Sequence, residues 1–210
     1  MTERLYYTSD DTEGQANIVS CTAEPDGRYA VVMDSTLFHP QGGGQPADTG
    51  WIDDEPVEAV LSRGDDVLHM VANPLSAGVV NLRVDAAQRQ LHARLHSAGH
   101  LIGQAGTEYG WHPVKAHHWP NEGRITFAAG ENATLPDASS LLAKISAWQA
   151  GNLPRQVTFA DGLRQIGFGH LMAYPCGGTH VANLSEIGPV TITQVKIKKG
   201  QMIVNYTLCS

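Results

Sequence analysis

Up to residue 84 the apolar positions come in short runs that alternate with polar ones, and no helical period is sustained. Alternation at a period of two predicts strands, because successive side chains of a strand point to opposite faces. The runs place strands at Arg4 to Thr8, Ala16 to Thr22, Tyr29 to Ser35, Gly50 to Ile52 with Val57 to Leu61, Val67 to Val71, and Val79 to Val84. Pro25-Asp26-Gly27 and Arg63-Gly64-Asp65-Asp66 are turn signals between them. Several short strands at this spacing suggest a small barrel or sandwich.

The pattern changes at Asp85. Leu91, Leu95, Ala98, Ile102 and Ala105 form an apolar stripe at helical spacing, preceded by Asp85 in an N-cap position with Gln88 three residues on. Gly99, Gly103 and Gly106 interrupt this helix, each at a cost of about 1 kcal/mol relative to alanine, so something is expected to pack against its backbone. A strand is expected at Arg124 to Ala128, and a second amphipathic helix from Ala138 to Ala150, capped by Asp137 and stopped by Gly151. Strand-like text at Gln156 to Phe159 is followed by a C-terminal hairpin, Val190 to Lys198 and Gln201 to Leu208, turning at Lys199-Gly200. The fold class expected is α+β. A small β-barrel domain over residues 1–84 precedes a two-layer α/β domain over residues 85–210.

Two stretches carry chemistry. His96 and His100 stand four apart on the first helix, so both imidazoles can reach one ion. Cys176-Gly177-Gly178-Thr179-His180 sets a thiol and an imidazole on either side of two glycines, which let both turn toward one point. Three imidazoles and one thiolate suit zinc more than iron. Ten histidines make accidental i, i+4 pairs common, so the alternative is a satisfied structural cluster; finding both motifs in one chain favours the metal. His117 and His118 stand near a strand, where adjacent side chains diverge, so at most one can face the site. In the first half, Phe38-His39-Pro40-Gln41-Gly42-Gly43-Gly44-Gln45-Pro46 reads as a shaped loop whose glycines let something approach the backbone. It lacks the Gly-Lys-Ser/Thr of a Walker-type phosphate loop.

Composition narrows the classes. A formal charge of −7 argues against nucleic-acid binding by bulk electrostatics, leaving local basic patches: Arg89 and Arg94, or Lys196, Lys198 and Lys199. A solvated strand edge accounts equally well for the lysines. Three scattered cysteines make no disulfide framework, and no signal-like or membrane-spanning run appears, so a cytoplasmic protein is expected.

With both motifs in place the chain resembles the free-standing alanyl-tRNA editing proteins of the AlaX family, related to the editing domain of alanyl-tRNA synthetase. The resemblance runs through Gly42-Gly43-Gly44-Gln45-Pro46, Arg94-Leu95-His96-Ser97-Ala98-Gly99-His100-Leu101, Cys176-Gly177-Gly178-Thr179-His180-Val181 and Glu186-Ile187-Gly188. The glycine motif points to the longer form, with a barrel ahead of the editing domain. The resemblance implies one zinc ion on His96, His100, Cys176 and His180, and hydrolysis of the ester joining serine, or in some members glycine, to tRNA(Ala). The partner it implies is charged tRNA, not DNA or a membrane. Ser97, Gly42, Gly43, Gly44 and Thr179 are the groups expected to meet the aminoacyl moiety. Two other functions fit the same ligands: a zinc hydrolase of small esters or amides, and a non-catalytic module stapled by zinc.

Overall fold

The computed structural model describes residues 1–209 and is a sheet-rich α+β structure. It divides into two compact units: one holds residues 1–42 and 46–90, the other Gly43–Gln45 and the chain from Leu91 onward. The division after Gln90 falls inside the first helix, whereas the sequence pattern changes at 84/85.

In the first unit the strands are β1 (Glu3–Arg4), β2 (Glu13–Ala23), β3 (Tyr29–Met33), β4 (Ser35–Thr36), β5 (Gly50–Ile52), β6 (Glu55–Arg63), β7 (Asp66–Val71) and β8 (Gly78–Val84). Six of them pair in the cyclic order β2-β3-β7-β6-β5-β8, and β8 returns to β2 in antiparallel register from Glu13↔Arg83 to Ile18↔Gly78. The inward positions, among them Val31, Met33, Phe38, Ile52, Val60, Val67, Val71 and Leu82, form one buried cluster. The alternation in the sequence reflects this one-sided burial. The expected strand at Arg4 to Thr8 is not formed. Only Glu3 and Arg4 pair, with Ser35 and Thr36, and Leu5–Tyr7 make a 3-10 turn that buries Tyr6.

The glycine-rich loop is shaped by hydrogen bonds of its own unit. Asp48 accepts the His39 amide at 2.6 Å and returns its own amide to the His39 carbonyl. The Arg89 guanidinium closes on both Asp48 oxygens, with Nε at 3.1 and 3.0 Å, and both residues are buried. Asp85 caps the helix through the Gln88 amide at 3.0 Å, but the Gln88 side chain bonds Thr49 rather than completing the expected capping box.

The second unit contains most of α1 (Ala86–Thr107), then β9 (Trp111–His117), β10 (Gly123–Ala129), α2 (Ala138–Ala150), β11 (Arg155–Ala160), β12 (Leu163–Phe168), β13 (Tyr174–Pro175), β14 (Val190–Lys198) and β15 (Gln201–Leu208). The order β14-β15-β10-β9 makes an antiparallel sheet of four, and β11-β12-β13 a smaller sheet of three. Leu95, Ala98, Ile102 and Ala105 of α1, Leu141 and Ile145 of α2, and Phe127, Met202, Val204 and Tyr206 of the larger sheet share one core. The helical glycines are explained by contact. A Cβ at Gly106 would lie 2.3 Å from the Phe127 ring, and one at Gly99 2.3 Å from the His118 ring. Asp137 caps α2 through the Ser140 amide, as its sequence implies. The sequence pattern did not show β9, β12 or β13: β9 carries Pro113 and mostly exposed residues, and β13 is two residues long.

Candidate metal centre and its cavity

Helix α1 and the loop after β13 bring His96, His100, Cys176 and His180 together, with one ligand atom of each within 4.8 Å of all the others. Cys176 Sγ lies 3.3 Å from His180 Nε2 and 3.5 Å from His96 Nε2. Tetrahedral bonds of ~2.0–2.1 Å to nitrogen and ~2.3 Å to sulfur would set such atoms roughly 3.5 Å apart. The two sulfur–nitrogen separations therefore match those around one tetrahedral ion.

The outward nitrogens of two ligands are held by neighbours. His96 Nδ1 donates to Gln45 Oε1 at 2.7 Å; the same oxygen accepts the Thr179 amide at 3.0 Å, while Gln45 Nε2 donates to Thr179 Oγ1 at 2.9 Å. This fixes the amide orientation of Gln45, and with it the tautomer that leaves His96 Nε2 a lone pair for a metal. With His180 Nε2 toward the cluster, its Nδ1 donates to Ser97 Oγ at 3.0 Å, which also accepts the Val181 amide at 3.2 Å. Such partners orient metal ligands and raise their basicity.

The Cys176 loop has little slack. Arg164 donates to the carbonyls of Cys176 and Gly178 at 3.0 and 2.8 Å, and Arg155 to that of His180 at 2.6 Å. A Cβ at Gly178 would stand 2.2 Å from the His96 ring, so only glycine allows the loop to pass this close to the ligand.

Burial governs the protonation of the cluster. It pushes His100 down to about 4, with the Arg164 charge adding to the effect, and holds His180 well below the usual range, with His100 and Arg164 adding. Burial raises the Cys176 thiol, against the opposing Gly178 amide and Arg164. Neutral imidazoles are ready ligands, whereas the thiol must release its proton to solvent before its sulfur can bind a cation.

A cavity of about 310 Å³ opens beside the cluster, lined by His96, His100 and Cys176, by Gly43, and by His118 and the β9 segment from Pro113 to Ala116. Gly43 therefore reaches the cavity wall. Gly42 and Gly44 do not line it, and Ser97 and Thr179 stand behind the ligands with their side-chain oxygens engaged. His118 was only half-visible in the sequence. Its ring stacks on His96 at 4.2 Å, and its Nδ1 lies 2.7 Å from the Tyr206 hydroxyl. That hydroxyl donates to the Leu95 carbonyl at 2.9 Å, so His118 Nδ1 must carry the proton and Nε2 is left an acceptor. Burial, reinforced by His100 and His117, pushes His118 to about 3 and keeps it neutral. His117, its neighbour, points elsewhere, toward Glu122.

Residues 163–203, which include the Cys176 loop, match the Threonyl and Alanyl tRNA synthetase second additional domain. The alanyl-tRNA editing protein AlaX-M of Pyrococcus horikoshii is 26% identical over 199 residues, covering 90% of this chain and 89% of that protein. The chain is similar to the free-standing alanyl-tRNA editing proteins. Family similarity extends to the alanyl-tRNA editing protein Aarsd1 of Bos taurus, 39% identical over 229 residues and covering 91% of this chain and 51% of that one. It also reaches the alanine–tRNA ligase of Haloquadratum walsbyi, 27% identical over 91% of this chain. The chain spans about a quarter of the length of the ligases it matches, 24% in that case. The family resemblance read from the two metal motifs and the glycine loop is confirmed.

Proposed function

We propose that this chain deacylates tRNA(Ala) carrying the wrong amino acid, chiefly serine and secondarily glycine, with one zinc ion held by His96, His100, Cys176 and His180. The observation that carries the reading is the convergence of the four ligands beside a small cavity that three of them line, in a chain similar to an alanyl-tRNA editing protein over nearly the whole of both. Zinc bound there supplies Lewis acidity toward the ester carbonyl or a water of lowered pKa. The protein's own residues do the rest. Gln45 and Ser97 hold two ligand rings in register, and the β9 segment and Gly43 wall off a space matched to an aminoacyl group. His118 Nε2 offers that space a neutral acceptor, suited to the hydroxyl of serine and left unpaired by alanine; an unmet polar group of this kind discriminates against the analogue that lacks its partner.

In this reading residues 85–210 form the editing domain, the six-stranded ring of residues 1–84 is the barrel of the longer family form, and the protein works in the cytoplasm. No helix among the described residues is long and apolar enough to cross a membrane.

The test is amino-acid release from seryl-, glycyl- and alanyl-tRNA(Ala) by the purified protein and by His100→Ala. Serine should be released and alanine spared, with release abolished in the variant. Cleavage of small esters without dependence on the tRNA would assign the site to a general zinc hydrolase instead. A folded, zinc-loaded protein that cleaves nothing would leave only a structural metal.

A further inference from the structure

The four-stranded sheet of the second unit buries one face, through Ile125, Phe127, Met202 and Val204. Register assigns the opposite face residue by residue, because directly paired residues share a face. One row across the sheet is Lys115, Thr126, Ile203 and Lys196; the next is His117, Arg124, Asn205 and Gln194; the third is His112, Ala128, Gln201 and Lys198. The three rows hold four fixed cations and two histidines, and no acid. Four of the chain's five lysines lie on this face or, as Lys199, in the turn that ends it.

Such a concentration is unexpected in a chain of net charge −7. Lys115, Lys196 and Lys198 are exposed and Arg124 is half-buried. None of the four is paired with an acid among the described residues, whereas Lys144, off this face, pairs with Glu108. The acid bordering the rows, Glu122, faces His117 at 3.4 Å. Protection of sheet edges accounts for lysines on the edge strands β9 and β14. It does not account for Arg124 on an inner strand, or for the lack of acids across three rows.

We propose that this face holds the RNA backbone, with Lys115, Arg124, Lys196 and Lys198 taking its phosphates. The choice of RNA as the polyanion rests on the deacylase reading; the surface itself rests on register and charge. Phosphate contacts of this kind set affinity and orientation and carry no sequence information. Unpaired cations spread over three rows of one sheet face are suited to that task. The overall negative charge confines the attraction to this face.

Binding of uncharged tRNA(Ala) to the full chain, followed by fluorescence anisotropy across a salt series, tests the assignment. Lys196→Ala with Lys198→Ala should weaken binding at least tenfold at low salt and lower the log–log salt slope by about 2, near one unit per lost phosphate contact. Lys144→Ala should leave both unchanged. Both positions tested are exposed, and an unaltered circular dichroism spectrum verifies the fold. Wild-type protein that does not bind the tRNA, or a double variant within twofold of wild type with the same slope, would overturn the proposal. A changed sedimentation coefficient in that last case would assign the face to a second copy of the chain. The deacylase reading fails separately: if seryl-tRNA is not cleaved but the double variant loses RNA binding, the surface stands and the reaction does not.

Discussion

Gln45 Oε1 lies 2.7 Å from His96 Nδ1, so a side chain from the glycine-rich motif sets the tautomer of a candidate metal ligand 51 residues further along the chain. Gln45 is fully buried and spends its remaining bonds on Thr179, one residue from the ligand His180. Gln45→Ala should weaken zinc binding about 10- to 100-fold, the usual effect of losing such a partner. Competition with a chromogenic chelator measures it. An unchanged zinc affinity would show that His96 needs no orienting group.

Gly178→Ala should be more damaging than its single methyl suggests. The added Cβ would meet His96 Cε1 at 2.2 Å and Gln45 Oε1 at 2.8 Å, so either the ligand ring or the loop must move. Loss of stoichiometric zinc, read by metal analysis after gel filtration, is expected with far-ultraviolet circular dichroism retained. Full zinc occupancy in this variant would contradict the geometry.

In the first unit the shaped loop depends on the buried pair of Asp48 and Arg89. Asp48→Ala strips the guanidinium of its counter-ion and leaves the His39 amide without its acceptor. Breaking a buried pair from one side costs ~3–5 kcal/mol, which urea unfolding should register as a clear fall in midpoint. A shift near zero would mean that Arg89 finds solvent or another acceptor.

Acid should destabilise the protein through a buried histidine of the first unit. His69 is buried between the Thr36 hydroxyl and the Val31 carbonyl, and burial holds it at about 4 against an ordinary 6.5. Its folded pKa is depressed, so the unfolded chain binds the extra proton first as pH falls. Stability is full above about pH 6.5 and is lost progressively toward pH 4, by of order 3 kcal/mol. Unfolding midpoints at pH 7.5, 6 and 5 should decline, and the His69 imidazole resonances should titrate near 4. A titration near 6.5 would remove the basis of this prediction.

The reach of the sequence is seen by comparing α1 with its surroundings. Local periodicity specified the start of α1, and α2 and the β14–β15 hairpin nearly to the residue, because each satisfies its own backbone and shows a repeating apolar face. The same spacing aligned His96 with His100, and the short Cys-x-x-x-His loop kept Cys176 close to His180. Those are consequences of helix geometry and of chain connectivity over four residues, so the sequence by itself determined them.

What joins the two ligand pairs is not local. Gln45, Ser97 and Thr179 act through hydrogen bonds spanning 51 to 134 residues, and no propensity or period encodes such a partner. The tertiary structure turned Ser97 toward His180, placed Gln45 behind His96, and stacked His118 on the cluster while directing His117 away. It also aligned isolated lysines into one basic face, since register between strands depends on which apolar residues can be buried together. The sequence named the candidate metal donors; packing decided what holds them, what lines the space beside them, and which charges stand together.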